Sequence, residues 1–172
     1  MATQKPLTIV IAGGCFWGVE EYFRRLKGVV STRVGYAQGI LENPSYQDVC
    51  TGKTHHAEVA EISYDPSLLS LEKIAEHLFR IVDPTSLNRQ GHDIGTQYRV
   101  GMYPTTAEEM TRLKAYYDHR QKDYTKPLVM ELEILRDFYD AETYHQAYLV
   151  KNPGGYCHVN MNLIRKEELK DA

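Results

Sequence analysis

In the stretch "GGCFWGVEEYF", residues 13–23, Cys15 follows two glycines and precedes Phe16 and the chain's one tryptophan, Trp17. The letters after it take up a helical period, so Cys15 is expected at a helix start. A thiol in that position faces oriented backbone N–H groups, which favour the thiolate and lower its pKa from the usual value of about 8.5. That makes Cys15 a candidate nucleophile. The competing reading is a buried structural thiol, but such a thiol has no need of Gly13 and Gly14, which permit close approach of a substrate or an unusual backbone conformation.

Other chemistries fit the letters less well. A dinucleotide fingerprint needs G-x-G-x-x-G, and counting from Gly13 puts Cys15 at the second glycine, with Phe16 and Trp17 crowding a pyrophosphate. A phosphate-handling thiol wants cations nearby, yet the helix continues with Glu20 and Glu21. Cys50, His55, His56, Cys157 and His158 lack the x₂₋₄ spacing of a zinc site, so no metal is expected. A neutral polar substrate with an apolar part remains, held on the rings of Phe16 and Trp17. For Phe16, on the apolar stripe, core packing competes with that role.

Glu58 is the second candidate. In "HHAEVAEISYDP" it alternates with Ala60, Ile62 and Tyr64 on one face of a strand, which points its carboxyl toward the core. There it is either a desolvated, protonated general acid or the partner of His56 or an arginine. Both readings stay open from the letters.

The elements that carry these residues follow from periodicity. "LTIVIA", Leu7 to Ala12, is a β-branched run for a doubly covered strand. Phe16, Val19, Phe23 and Leu26 mark one helix face, with Glu20 and Glu21 early, Arg24, Arg25 and Lys27 late, and Gly28 as its stop. "VVSTRVGYA" is a strand, Gln38 to Thr54 a long loop, and the Glu58 segment a third strand. Ser70 caps a helix striped by Leu71, Ile74, Ala75, Leu78 and Phe79. Asp83 to Gln97 is another loop, "YRVGMYP" a strand, and Thr105 or Thr106 with Glu108 or Glu109 a capping box for a helix to about Gln121. "VMELEIL" alternates, with Met130, Leu132 and Ile134 on one face. The "NPGGYCHVNMN" stretch is rich in turn residues. Strand, helix, strand, strand, helix, strand predicts an α/β (α+β) fold, a ferredoxin-like two-layer sandwich with an extended irregular C-terminal segment.

Composition bounds the rest. The 172 residues suit one catalytic domain, 1–172, with a coil-rich tail from about residue 143. Twenty basic against 23 acidic residues, net charge -3, offer no footprint for nucleic acid or an anionic membrane. The apolar N-terminal stretch is too short for a signal region or membrane span, and three cysteines without CxxC pairs do not form a secreted disulfide framework. A cytoplasmic protein is expected.

Taken together, "GGCFWGVE", "NPSYQDVCTGKTHHAE", "YDP", "GHDIGTQYRVGMYP" and "YHQAYLVKNPGGYC" resemble, in order and spacing along most of the chain, the A-type peptide methionine sulfoxide reductases, which act on the S epimer. The resemblance implies an α/β sandwich with a C-terminal coil. It also implies roles. Cys15 attacks the sulfoxide sulfur, Glu58 supplies the proton, and Tyr46 and Tyr98 hydrogen-bond the oxygen. Phe16 and Trp17 cage the methyl group; Asp93 and Tyr148 hold substrate or water near the acid. Cys157 condenses with the Cys15 sulfenic acid to a disulfide that thioredoxin, or dithiothreitol in vitro, reopens, with no bound cofactor. The expected protein is a monomer acting on methionine sulfoxide, free or in proteins. Many family members carry a further C-terminal cysteine; "HVNMNLIRKEELKDA" has none, so a two-thiol cycle is expected, with Cys50 structural. Two rivals are a cysteine hydrolase forming a thioester with a histidine base, and a redox sensor that reports oxidation without turnover.

Overall fold

The computed structural model describes residues 5–170. Its centre is β1 (Leu7–Gly13), whose last five residues are buried. It pairs antiparallel with β3 (Ala57–Tyr64) on one side and β6 (Val100–Tyr103) on the other. β2 (Val29–Ala37) lies antiparallel against β3, and two short strands, β7 (Glu131–Leu132) beside β6 and β8 (Phe138–Asp140) beside β2, complete the order β7-β6-β1-β3-β2-β8. Helices α1 (Phe16–Arg24), α3 (Leu71–Ile81) and α4 (Ala107–Gln121) join them, and α1 and α3 pack apolar stripes on the sheet: Phe16, Val19, Tyr22 and Phe23 from α1 meet Ile74, Ala75, Leu78 and Phe79 from α3 over Ile9, Ile11 and Ile62. This is the mixed α/β class expected.

Local signals set the helix starts. Ser70 Oγ accepts from Lys73 N at 3.1 Å and Thr106 Oγ1 from Glu109 N at 3.2 Å, each satisfying a first-turn donor. The charges on α1 act otherwise than expected. The helix begins at Phe16, so Glu20 and Glu21 fall beyond its first turn; Glu20 accepts from Thr32 Oγ1 and Ala147 N, and Glu21 pairs with Arg24 and Arg25. The helix also ends at Arg24 rather than at Gly28, whose φ of 97° makes the turn into β2.

Three short elements depart from the sequence reading. The Gln38–Thr54 loop contains α2 (Tyr46–Cys50), started by a capping box between Ser45 and Asp48. The Asp83–Gln97 loop contains a hairpin, β4 (Arg89–Gln90) with β5 (Asp93–Ile94). "VMELEIL" is not one alternating strand. Only Glu131 and Leu132 form a strand; beyond them Glu133 N and Leu135 N still donate to Met102 O and Pro104 O, and Ile134 is exposed.

The C-terminal segment from residue 143 contains α5 (Tyr148–Lys151) and three 3₁₀ turns. It is tied down at its end: Glu168 accepts from Arg80 Nη1 at 2.7 Å, and Lys170 N donates to Arg25 O at 2.9 Å. Gly35 shows how closely β8 approaches β2, since a Cβ there would stand 2.5 Å from Tyr139 O. Gly35→Ala is therefore expected to destabilise the protein by about 1–3 kcal/mol, as overpacking against backbone does, measured by urea unfolding; an unchanged midpoint would show that β8 yields freely.

Candidate active site

Cys15 is the N-cap residue of α1, just beyond the end of β1, and is buried. The expected lowering of its pKa does not occur in this geometry. The Trp17 N–H does favour the thiolate, but burial pushes the thiol well above its ordinary range and a Glu58 charge would push it further.

Glu58 points into the core from β3, 1% exposed. Its Oε1 accepts from Phe16 N at 3.2 Å, one residue past Cys15, while Oε2 has no partner. Burial, with a smaller push from Asp93, raises its pKa to about 8 against the pull of the Phe16 N–H. The salt-bridge alternative with His56 is not formed: His56 Nε2 lies 3.5 Å from Asp137. At neutral pH the carboxyl keeps its proton beside a buried thiol, so neither group has to carry charge at rest.

One wall of the site is aromatic. Trp17 stacks on Tyr148, centroids 3.7 Å apart and planes 11° off parallel, and its Nε1–H donates to His145 Nδ1 at 2.9 Å. Tyr148, expected to hold substrate or water, presents its ring face to Trp17. Phe16 is 1% exposed under Tyr36 and His145, so its ring also packs the core. Tyr46 opens α2 with its ring 4.5 Å from His145. Glu142 fixes this corner: Oε1 accepts from Tyr36 Oη at 2.8 Å and Oε2 from Tyr46 N at 2.9 Å.

Tyr98 ends the 3₁₀ turn Thr96–Tyr98 after the hairpin, half-buried. Burial, and then the charge of Glu58, raise its pKa; Tyr46 is raised by burial, by its contact with the Cys50 thiol and by Glu58. Both therefore stay hydroxyl donors around the carboxyl. Asp93, on β5, accepts from Tyr156 Oη at 2.9 Å. Cys50 is exposed at the end of α2, not in the core. Cys157 is half-buried, its Sγ donating to Val159 O at 3.3 Å, and a Cβ on Gly18 would meet that sulfur at 3.0 Å. The Cys157 thiol therefore rests against the first turn of α1.

All nine sequence candidates are accounted for, and Cys15, Glu58, Tyr98 and Asp93 lie within electrostatic reach of one another. The sequence reading did not find Glu142, His145 or Tyr156. Each acts through a contact about 60 to 130 residues away in the chain, which no local pattern signals. An open groove of about 590 Å³ between α4 and β7 is lined by Met110, Thr111, Lys114, Tyr117, Met130 and Leu132, none of them among these groups. Among the described residues no three His, Cys, Asp or Glu side chains gather as a metal ion requires, and no helix is long and apolar enough to cross a membrane.

A buried thiol, a buried carboxyl with a raised pKa and two phenols on an α/β scaffold are groups that suit thiol chemistry on an uncharged acceptor. The comparisons specify it further. The family model for peptide methionine sulfoxide reductase matches residues 7–172. A peptide methionine sulfoxide reductase MsrA of Clostridium botulinum (strain Okra) is 54% identical over 154 residues, 90% of this chain and 98% of that protein. Methionine sulfoxide reductase A of Corynebacterium diphtheriae superposes with a TM-score of 0.86 at 36% identity, covering 91% of this chain and 79% of that one. Mxr1 from Saccharomyces cerevisiae, in complex with Trx2, matches with a TM-score of 0.59 at 25% identity over 86% of this chain and 89% of that one. The chain belongs to the peptide methionine sulfoxide reductase family.

Proposed function

We propose that the protein reduces the S epimer of methionine sulfoxide, free and in proteins, through a two-thiol cycle. The observation that carries this reading is the buried Glu58 carboxyl, hydrogen-bonded to the N–H of the residue after Cys15, a setting that raises its pKa. Cys15 attacks the sulfoxide sulfur while Glu58 gives its proton to the oxygen; the oxygen passes as hydroxyl to the Cys15 sulfur, methionine leaves, and the thiol's proton returns to Glu58. Methionine sulfur gains two electrons and Cys15 sulfur loses two, so thiol plus sulfoxide becomes sulfenic acid plus thioether. Because one proton is delivered as the other is released, the buried site never holds two negative charges, which is how a thiol with a raised pKa reacts there.

Tyr46 and Tyr98 donate to the oxygen as it gains charge. Trp17 on its Tyr148 platform, with Phe16, holds the methyl group, and Asp93 supports the oxygen side. Cys157 then condenses with the sulfenic acid, releasing water, and thioredoxin reduces the Cys15–Cys157 disulfide by exchange. The likeness to Mxr1 in its complex with Trx2 supports that partner. In this reading residues 1–172 form one catalytic unit, its tail from about residue 143 supplying the second thiol, working as a monomer in the reducing cytoplasm without a bound cofactor.

The test is turnover coupled to thioredoxin and thioredoxin reductase. NADPH is consumed with the S epimer of a blocked methionine sulfoxide and not with the R epimer; a thioester adduct and no sulfoxide turnover would install the hydrolase reading. Tyr46→Phe and Tyr98→Phe are each expected to lower the single-turnover rate by about 10²-fold with little change in substrate affinity, as loss of a donor to a developing charge does. Unaltered rates in both would remove the phenols from the mechanism.

A further inference from the structure

The segment 152–160 has little regular structure, and side-chain anchors hold it. Tyr156 donates to Asp93, Val159 is buried beside Gly18, and His158 reaches back to Gly13, two residues before Cys15. The His158 Nε2 lies 2.7 Å from Gly13 O, and because a carbonyl only accepts, Nε2 carries the proton. The contact is built into both partners. Gly14 has φ 87°, and a Cβ there would come within 2.9 Å of His158 Nε2, so the loop before the thiol has room for this ring only because it lacks a side chain. The other ring nitrogen, Nδ1, is buried without a partner. A side chain that merely filled space would avoid that cost by being apolar, so the Nε2–H bond to Gly13 is what the ring is there to make.

We propose that His158 is the positioning residue of the second half-reaction: by tying the residue after Cys157 to the strand end before Cys15, it holds the second thiol where it condenses with the oxidised first one. The step is Cys15–SOH plus HS–Cys157 giving Cys15–S–S–Cys157 and water, the thiol hydrogen leaving with the hydroxyl. This rests on the two-thiol reading above. The His158 hydrogen bond goes to Gly13 O and not to Glu58, so its loss acts on the disulfide step and leaves methionine formation alone.

The two steps are separable in a single turnover, with methionine counted by chromatography and the disulfide by rapid alkylation and peptide mass, plus a 1,3-dione to trap sulfenic acid. In His158→Ala and His158→Leu, the second filling the same space without a donor, methionine is expected within about twofold of the wild-type rate. The disulfide is expected at least about tenfold slower, with the dione adduct on Cys15 rising to match. His158→Gln, whose amide can donate to Gly13, is expected to recover to within about threefold. Wild-type disulfide rates in both the Ala and Leu variants overturn the proposal, as does nitrogen NMR showing the His158 proton on Nδ1. A wild-type enzyme that makes methionine but no Cys15–Cys157 disulfide overturns the two-thiol reading instead.

Discussion

Glu58→Gln is expected to slow the first methionine formed by about 10²–10⁴-fold, the usual worth of a positioned general acid. Glutamine keeps the shape and can still accept from the Phe16 N–H, so the loss reports the proton alone. The wild-type rate should fall as pH rises through about 8, where Glu58 ionises, and the residual rate of the variant should lack that limb. The same substitution should raise stability. In the unfolded chain the carboxyl ionises near its ordinary 4.5, in the folded one near 8, so between these values the folded state binds the extra proton and stability drops as pH climbs. That penalty amounts to several kcal/mol by pH 8, on the order of 1.4 kcal/mol for each tenfold change in acidity. Melting curves should therefore show Glu58→Gln gaining on wild type from pH 5 to 8. Equal single-turnover rates would strip Glu58 of its role, and a constant gap in stability would show that its carboxyl is already charged at pH 5.

Cys157→Ser is expected to separate the half-reactions. One equivalent of methionine should still appear per enzyme at a near-normal rate, since Cys157 donates only to Val159 O and touches neither Glu58 nor the phenols. Turnover with thioredoxin should then fall by at least about 10²-fold, because no disulfide forms for the partner's thiol to attack. Cys15 should accumulate as sulfenic acid, trapped as a dione adduct. A Cys15–Cys50 disulfide in this variant would redirect the cycle through α2, where Cys50 is exposed.

The parts of the molecule that were legible in the sequence are those with enough residues to show a period. β1 and β3 declare themselves by burial on one or both faces, α1 and α3 by apolar stripes, and α3 and α4 by N-caps at Ser70 and Thr106, although the Glu109 carboxylate accepts from Thr105 N and so does not close the expected capping box. Cys15 and Glu58 ride on such elements, which is why a helix start and a strand alternation sufficed to single them out. α2, the β4 and β5 hairpin, and β8 are two to five residues long, too short for a period to emerge. Polar contacts across the fold were equally hidden. Glu142 reaches Tyr36 and Tyr46 from about a hundred residues away, and His145 receives the Trp17 N–H from farther still. The Cys15 pKa failed for a related reason: the helix start is visible in the letters, but the depth of burial that outweighs it belongs to the assembled site.

The measurement that bears most directly on the account is a single turnover without external reductant: fully reduced protein mixed with the separated S and R epimers of a blocked methionine sulfoxide. The account predicts about one methionine per enzyme from the S epimer, none from the R epimer, and a Cys15–Cys157 disulfide by peptide mass. No methionine from either epimer, with all three thiols free at the start, would contradict it.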